Sequence, residues 1–159
     1  MAFNTPTQGR IFQINISPGG VPKLAVRQAQ VTPLGLEGDQ HRNMVNHGGP
    51  ERALCLYSLE RIQALQAEGH PVFPGSVGEN LTLSGMDWEQ MTPGVRLRLG
   101  QQVLLEITNY TTPCSNIQAS FAGQEIGRIL QSKNPGWSRV YARVLNEGEL
   151  TVGDGATLV

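Results

Sequence analysis

Lysine is nearly absent from this chain, with two residues against ten arginines. That scarcity and a formal net charge of -1 argue against a nucleic-acid surface, which needs a basic excess or stripe. Long apolar runs are missing too: none approaches the roughly 18 residues that span a bilayer. Met1 to Arg10 lacks the basic-then-apolar order of a secretory signal, so a cytoplasmic protein with no membrane partner is expected. Cysteine is limited to Cys55 and Cys114, which form no disulfide framework and suit a reducing compartment. Charged residues make up 16% and hydrophobic ones 39%, which excludes both disordered and membrane compositions. At 159 residues one domain over 1–159 with a single core is expected.

Glycine and proline are abundant, at 19 and 10, and cut the chain into short pieces that favour strands and turns. Strands are expected at Arg10–Ile16, Leu24–Val31, Ala53–Tyr57, Asn80–Leu83, Val95–Leu99, Gln102–Thr108, Arg139–Leu145 and Ala156–Val159. Val95 to Leu99 alternates, turns at Gly100-Gln101 and returns through Val103 to Ile107, which reads as a hairpin. Ser58 caps an expected helix over Leu59–Glu68, with Leu59, Ile62 and Leu65 on one face and Gly69 as its stop. A second helix is expected over Ile117–Gln131. Many short strands with two modest helices predict a mainly β (α+β) closed barrel with short helical insertions, because closure removes exposed edges. Strands and helices do not alternate regularly, so parallel βαβ units are not expected.

Four segments are candidates for chemistry. In Gly35–Asn43 and His47-Gly-Gly-Pro-Glu-Arg52, paired glycines let backbone N–H groups approach a ligand while His47 and Arg52 offer hydrogen bonds and charge to an oxyanion. The same loop also reads as an ordinary turn in which Asp39 pairs with Arg42 or Arg52. In Pro74–Leu81, the Asn80 amide can donate and accept toward a pterin or purine edge, or bond its own backbone as turn asparagines do; Glu79 is assigned to holding a neighbouring arginine. In Asn109–Asn116, Cys114 sits where an expected helix N-terminus would stabilise a thiolate as nucleophile or soft-metal ligand. Ser115 or Asn116 would cap that helix. Cys55, inside Ala-Leu-Cys-Leu-Tyr, reads as core. In Trp137–Val144, Arg139, Tyr141 and Arg143 share one strand face, where the arginines would line an anion pocket, meet solvent or pair with acids. Gly148 and Gly153-Asp154-Gly155 read as hairpin turns. His41, His47 and His70 lack the close pairing of zinc ligands, and no Gly-x-Ser-x-Gly elbow marks a hydrolase.

Taken in order, Gly38-Asp39, His47-Gly48-Gly49, Arg52, Gly78-Glu79-Asn80-Leu81, Pro113-Cys114, Arg143-Val144 and Gly153-Asp154 resemble the MOSC domain, in particular its small stand-alone bacterial members. The resemblance implies a β-barrel-like fold and an association with molybdenum cofactor (molybdopterin). It gives Cys114 the role of sulfur ligand to molybdenum or of sulfur carrier. It makes His47, Arg52, Asn80 and Arg143, with Arg139 added, candidates to hold the pterin and its phosphate. Tyr110-Thr-Thr before Pro113-Cys114 and Thr92-Pro-Gly-Val95 depart from the pattern of many relatives. Two activities follow from the resemblance: reduction of an N-hydroxylated small molecule, with electrons from a separate donor protein, or persulfide carriage and cofactor delivery without turnover. A metal-free role of the same fold is a third. Pyridoxal phosphate is not expected, since neither Lys23 nor Lys133 sits in a Schiff-base setting.

Overall fold

Side-chain alternation carries most of the architecture. The computed structural model describes residues 8–40 and 48–159. Its strands are β1 (Gln8–Ile16), β2 (Leu24–Val26), β3 (Gln28–Thr32), β4 (Gly35–Leu36), β5 (Leu54–Ser58), β6 (Leu81–Ser84), β7 (Arg96–Leu99), β8 (Val103–Tyr110), β9 (Val140–Asn146), β10 (Gly148–Thr151) and β11 (Gly155–Leu158). The expected hairpin is β7–β8: Leu97 faces Leu105 and Leu99 faces Val103, all four buried, while Arg96 and Arg98 point outward. β9 continues this sheet beside β8.

Seven strands close into a barrel in the order β1, β11, β7, β8, β9, β5, β6 and back to β1. All of these pairings are antiparallel except one. β5 and β6 run parallel, joined through the only α-helix among the described residues, α1 (Leu59–Ala67), since parallel neighbours need a crossover connection. This corrects the expectation that parallel units are absent. The start of α1 follows the sequence: the Ser58 hydroxyl accepts from the Arg61 N–H at 3.1 Å, and Ile62 and Leu65 are buried.

Three further expectations change. Leu24–Val31 divides at Arg27 into β2, which extends the barrel sheet beside β1, and β3, which joins a separate sheet ordered β10, β3, β4. Gly148 opens β10 rather than a hairpin, because β10 pairs with β3 and not with its chain neighbours. The helix over Ile117–Gln131 does not form; three 3-10 turns, Ser115–Ser120, Ala122–Gln124 and Ile126–Ile129, stand in its place. Gly123 at φ 65° and Gln124 at φ 58° break the right-handed path, and consecutive left-handed residues cannot be absorbed by an α-helix. No helix among the described residues is long and apolar enough to cross a membrane.

Candidate functional site

The loop that carries Cys114 is held to the start of β9 by backbone bonds. The Thr111 N–H donates to the Arg139 carbonyl at 2.9 Å, and the Ser138 hydroxyl donates to the Thr111 carbonyl at 3.3 Å. Below, the Tyr57 hydroxyl donates to the Trp137 carbonyl at 2.7 Å and the Trp88 indole to the Ser138 carbonyl at 2.8 Å. These core aromatics fix residues 137–139 and thereby the base of the Arg139 side chain. Cys114 and Tyr141 then form the common wall of a two-lobed cleft. The inner lobe, about 80 Å³, reaches Lys23, Cys55, Val77, Asn80 and Arg139. The outer lobe, about 290 Å³, opens toward Arg52, Asn109 and Thr112.

Arg139 is the unusual member. It is 5% exposed, Nη1 donates to the Val77 carbonyl at 2.6 Å, and Nε is buried with no partner. No carboxylate among the described residues lies within ion-pair distance of it. A guanidinium carries five donors, and desolvating one with so few partners is costly. An unpaired guanidinium charge lining the cleft suits an anion. Lys23 is differently placed: its ammonium meets Asp39 at 2.6 Å, and both side chains are buried. Asp39 also accepts from the Ser17 N–H, so the Lys23 charge is matched at close range.

Asn80 reaches the inner lobe with its amide already engaged. Oδ1 accepts from the Cys55 N–H at 3.0 Å. Nδ2 donates to the Asn15 carbonyl at 3.3 Å and to Asp39 Oδ2 at 2.8 Å. The residue joins β1, β5 and the Asp39 loop while lining the inner lobe, and these bonds are not the local turn bond considered from sequence. Gly75 makes the approach possible: at φ 90° its backbone lies so near the chain at Lys23 that a Cβ would sit 2.5 Å from the Lys23 carbonyl.

Glu79 is fully buried. Oε2 accepts from the Thr82 hydroxyl at 3.0 Å, and Oε1 has no hydrogen-bond partner. Burial pushes the carboxyl up to about 7, opposed by the N–H groups of Gly75 and Glu79, the Thr82 hydroxyl and the Arg139 charge. It therefore does not grip an arginine as expected; Arg139 acts on it only at a distance. Cys55 is buried, with Sγ 3.7 Å from the Thr111 hydroxyl, and desolvation raises its thiol pKa. It is core, as expected, yet it also borders the inner lobe.

A sequence model of the MOSC domain matches residues 43–157. The chain belongs to the MOSC domain family. Relatives include YflK of Bacillus subtilis (strain 168), 32% identical over 124 residues, covering 77% of this chain and 55% of YflK. A protein named "Reductase" from Gibberella moniliformis is 32% identical over 130 residues, covering 79% of this chain and 22% of its own length. The chain thus spans about half of YflK and less than a quarter of the fungal protein. The crystal structure of YiiM from Geobacillus stearothermophilus superposes with a TM-score of 0.71 at 23% identity, covering 95% of this chain and 75% of that one, which shares the fold.

This MOSC domain brings Cys114, Arg52, Asn80 and Arg139 to one cleft. His47 lies outside the described residues. Arg143 lines neither lobe: its guanidinium bonds Glu106 across the β8–β9 ladder and approaches Glu51 at 3.9 Å, the acid-paired alternative. Cys114 is half-buried and precedes a six-residue 3-10 turn without a side-chain cap, so neither Ser115 nor Asn116 caps it and no α-helix dipole points at the thiol. Lys23 and Tyr141 were not singled out as site residues. The alternation that puts Tyr141 on the Arg139 face signals its place, whereas nothing local signals that of Lys23; only the fold brings it there.

Proposed function

We propose that the cleft binds molybdenum cofactor and that the protein is a reductase of N-hydroxylated small molecules. The observation that carries this reading is a thiol, Cys114, sharing a cleft with a buried guanidinium that no carboxylate among the described residues pairs and whose Nε has no partner. Thiolate suits a thiophilic metal, and a guanidinium fork suits phosphate oxygens. A lobe of about 80 Å³ has the volume of two or three waters, so it admits an oxyanion group and not a fused ring system. The ring system belongs in the outer lobe, where Arg52 lies over the Tyr141 ring at 5.8 Å. Family membership and the name "Reductase" of the Gibberella relative support the assignment.

When bound, the cofactor supplies two-electron redox chemistry at molybdenum, while the protein supplies binding and electrostatics. Cys114 holds the metal through its sulfur. Arg139 neutralises the anionic group, and Asn80 keeps the floor rigid instead of touching the pterin. Converting an N-hydroxylamine to an amine and water consumes two electrons and two protons, and the electrons come from a separate donor protein. The test is molybdenum and pterin content per chain after anaerobic purification from a cofactor-making host, for wild type and Cys114→Ala. Near-stoichiometric metal in the wild type that is lost from the variant supports the reading, and N-hydroxylamine reduction with a supplied reductase is then expected. Two well-folded but metal-free proteins would sink it and turn attention to persulfide carriage on Cys114.

A further inference from the structure

Two buried, incompletely bonded ionisable groups lie beneath the cleft, and Arg139 Nη1 bonds the Val77 carbonyl, two residues before Glu79. Glu79 is 0% exposed with Oε1 unpartnered, and Arg139 is 5% exposed with Nε unpartnered. They are not an ion pair, yet the Arg139 charge acts on the Glu79 carboxyl. Both groups also act on the Cys55 thiol and the Tyr57 hydroxyl of β5. Charge of either sign is poorly screened there, so each group feels the state of the other.

We propose that Glu79 makes anion binding at Arg139 proton-coupled: the inner lobe takes its anion together with a proton on the Glu79 carboxyl. The proposal deepens the cofactor reading, since it concerns the same lobe, but it requires neither molybdenum nor pterin. With Glu79 ionised, its charge offsets the guanidinium and repels an incoming oxyanion. With Glu79 protonated, Arg139 faces the cleft uncompensated. The remaining groups that face Glu79 do not supply this switch. Lys23 is matched by Asp39, Cys55 and Tyr57 are driven further toward their neutral forms by burial, and Thr82 and Asn15 are neutral donors and acceptors on β6 and β1. Burial places the Glu79 midpoint at about 7, which puts the transition within reach of ordinary solution conditions. By reciprocity, an anion in the lobe must raise the proton affinity of Glu79 by the same factor that the proton raises anion affinity.

Inorganic sulfate is the probe, because it remains a dianion across the range and brings no titration of its own. Sulfate affinity of the cofactor-free full chain is measured by calorimetry at pH 6 and pH 8 for wild type, Glu79→Gln and Arg139→Gln. A loss of about tenfold from pH 6 to pH 8 is expected in wild type, in the ordinary range of coupling between sites. Glu79→Gln should bind at both pH values as wild type does at pH 6, and Arg139→Gln should bind at neither. Carbon-13 spectra of glutamate-labelled protein, with Glu79 assigned by its absence from Glu79→Gln, should show a carboxyl titrating near neutrality whose midpoint rises when sulfate is added. A pH dependence that persists in Glu79→Gln belongs to a histidine and overturns the proposal, as does a Glu79 carboxyl that ignores sulfate or a wild type that binds no sulfate. Proton-coupled sulfate binding in a protein that never acquires molybdenum would leave this inference standing while the cofactor reading fell.

Discussion

Replacing Asn80 with alanine separates a structural amide from a ligand-reading one. The substitution strands the Cys55 N–H, the Asn15 carbonyl and Asp39 Oδ2, which the amide meets at 3.0, 3.3 and 2.8 Å. A buried polar group left without its partner costs about 1–3 kcal/mol. Asp39 retains Lys23 and the Ser17 N–H, so its share is small. The two backbone groups are sealed between strands, and the expected loss is about 3–4 kcal/mol. For a chain of this size that corresponds to a fall in Tm of roughly 10 °C. Thermal unfolding by circular dichroism, with urea titration as a second probe, measures it. A loss below about 1 kcal/mol would refute the reasoning. The amide would then be free of structural duty, and recognition of a pterin edge by Asn80 would regain its footing.

Three other outcomes are expected. Glu79 has a folded pKa of about 7, above an ordinary unfolded value near 4.3, so between those two values the native state holds a proton that the unfolded chain has released. Stability should therefore fall as pH rises from about 4.5 to 7 and then level off, by an amount on the order of 3 kcal/mol; urea titrations against pH should show this slope in wild type and not in Glu79→Gln. Gly75→Ala places a Cβ 2.5 Å from the Lys23 carbonyl at φ 90°, and a melt should report a loss of about 2–4 kcal/mol from strain and displaced backbone. Arg143→Ala should cost less molybdenum content than Arg139→Met, because Arg143 pairs with Glu106 and lines neither lobe while Arg139 lines the cleft; equal losses would contradict that division.

Legibility in the sequence followed the range of the interaction. The β7–β8 hairpin and the Ser58-capped start of α1 were readable because alternation, a turn glycine and a cap are local signals. The second helix is not legible because Gly123 and Gln124 adopt positive φ in a segment whose composition otherwise allows a helix. The pairing of β10 with β3, and the parallel β5–β6 contact, join segments distant in sequence and leave no local trace. Within the site, the polar setting of Cys114 agrees with its place in the cleft wall. The two arginines of the β9 segment looked equivalent, since both share one strand face. Only depth along the strand distinguishes Arg139, sealed beneath the cleft, from Arg143, paired at the surface. The Thr82 bond of Glu79 is local, three residues along, but the full burial of its carboxyl is set by the strands packed around it and leaves no local signal.

The parallel contact between β5 and β6 has a consequence for how such a protein diversifies. The residues that close this seam, Cys55 and Asn80, are the same ones that pave the deep end of the cleft. A change there alters ligand fit and barrel closure together, so variants with new deep-lobe chemistry are burdened with weakened folding from the outset. Arg52 on its short turn and the Thr112–Cys114 loop carry no strand pairing. Adaptation to new substrates therefore has its open route at the mouth, while the floor is inherited nearly intact.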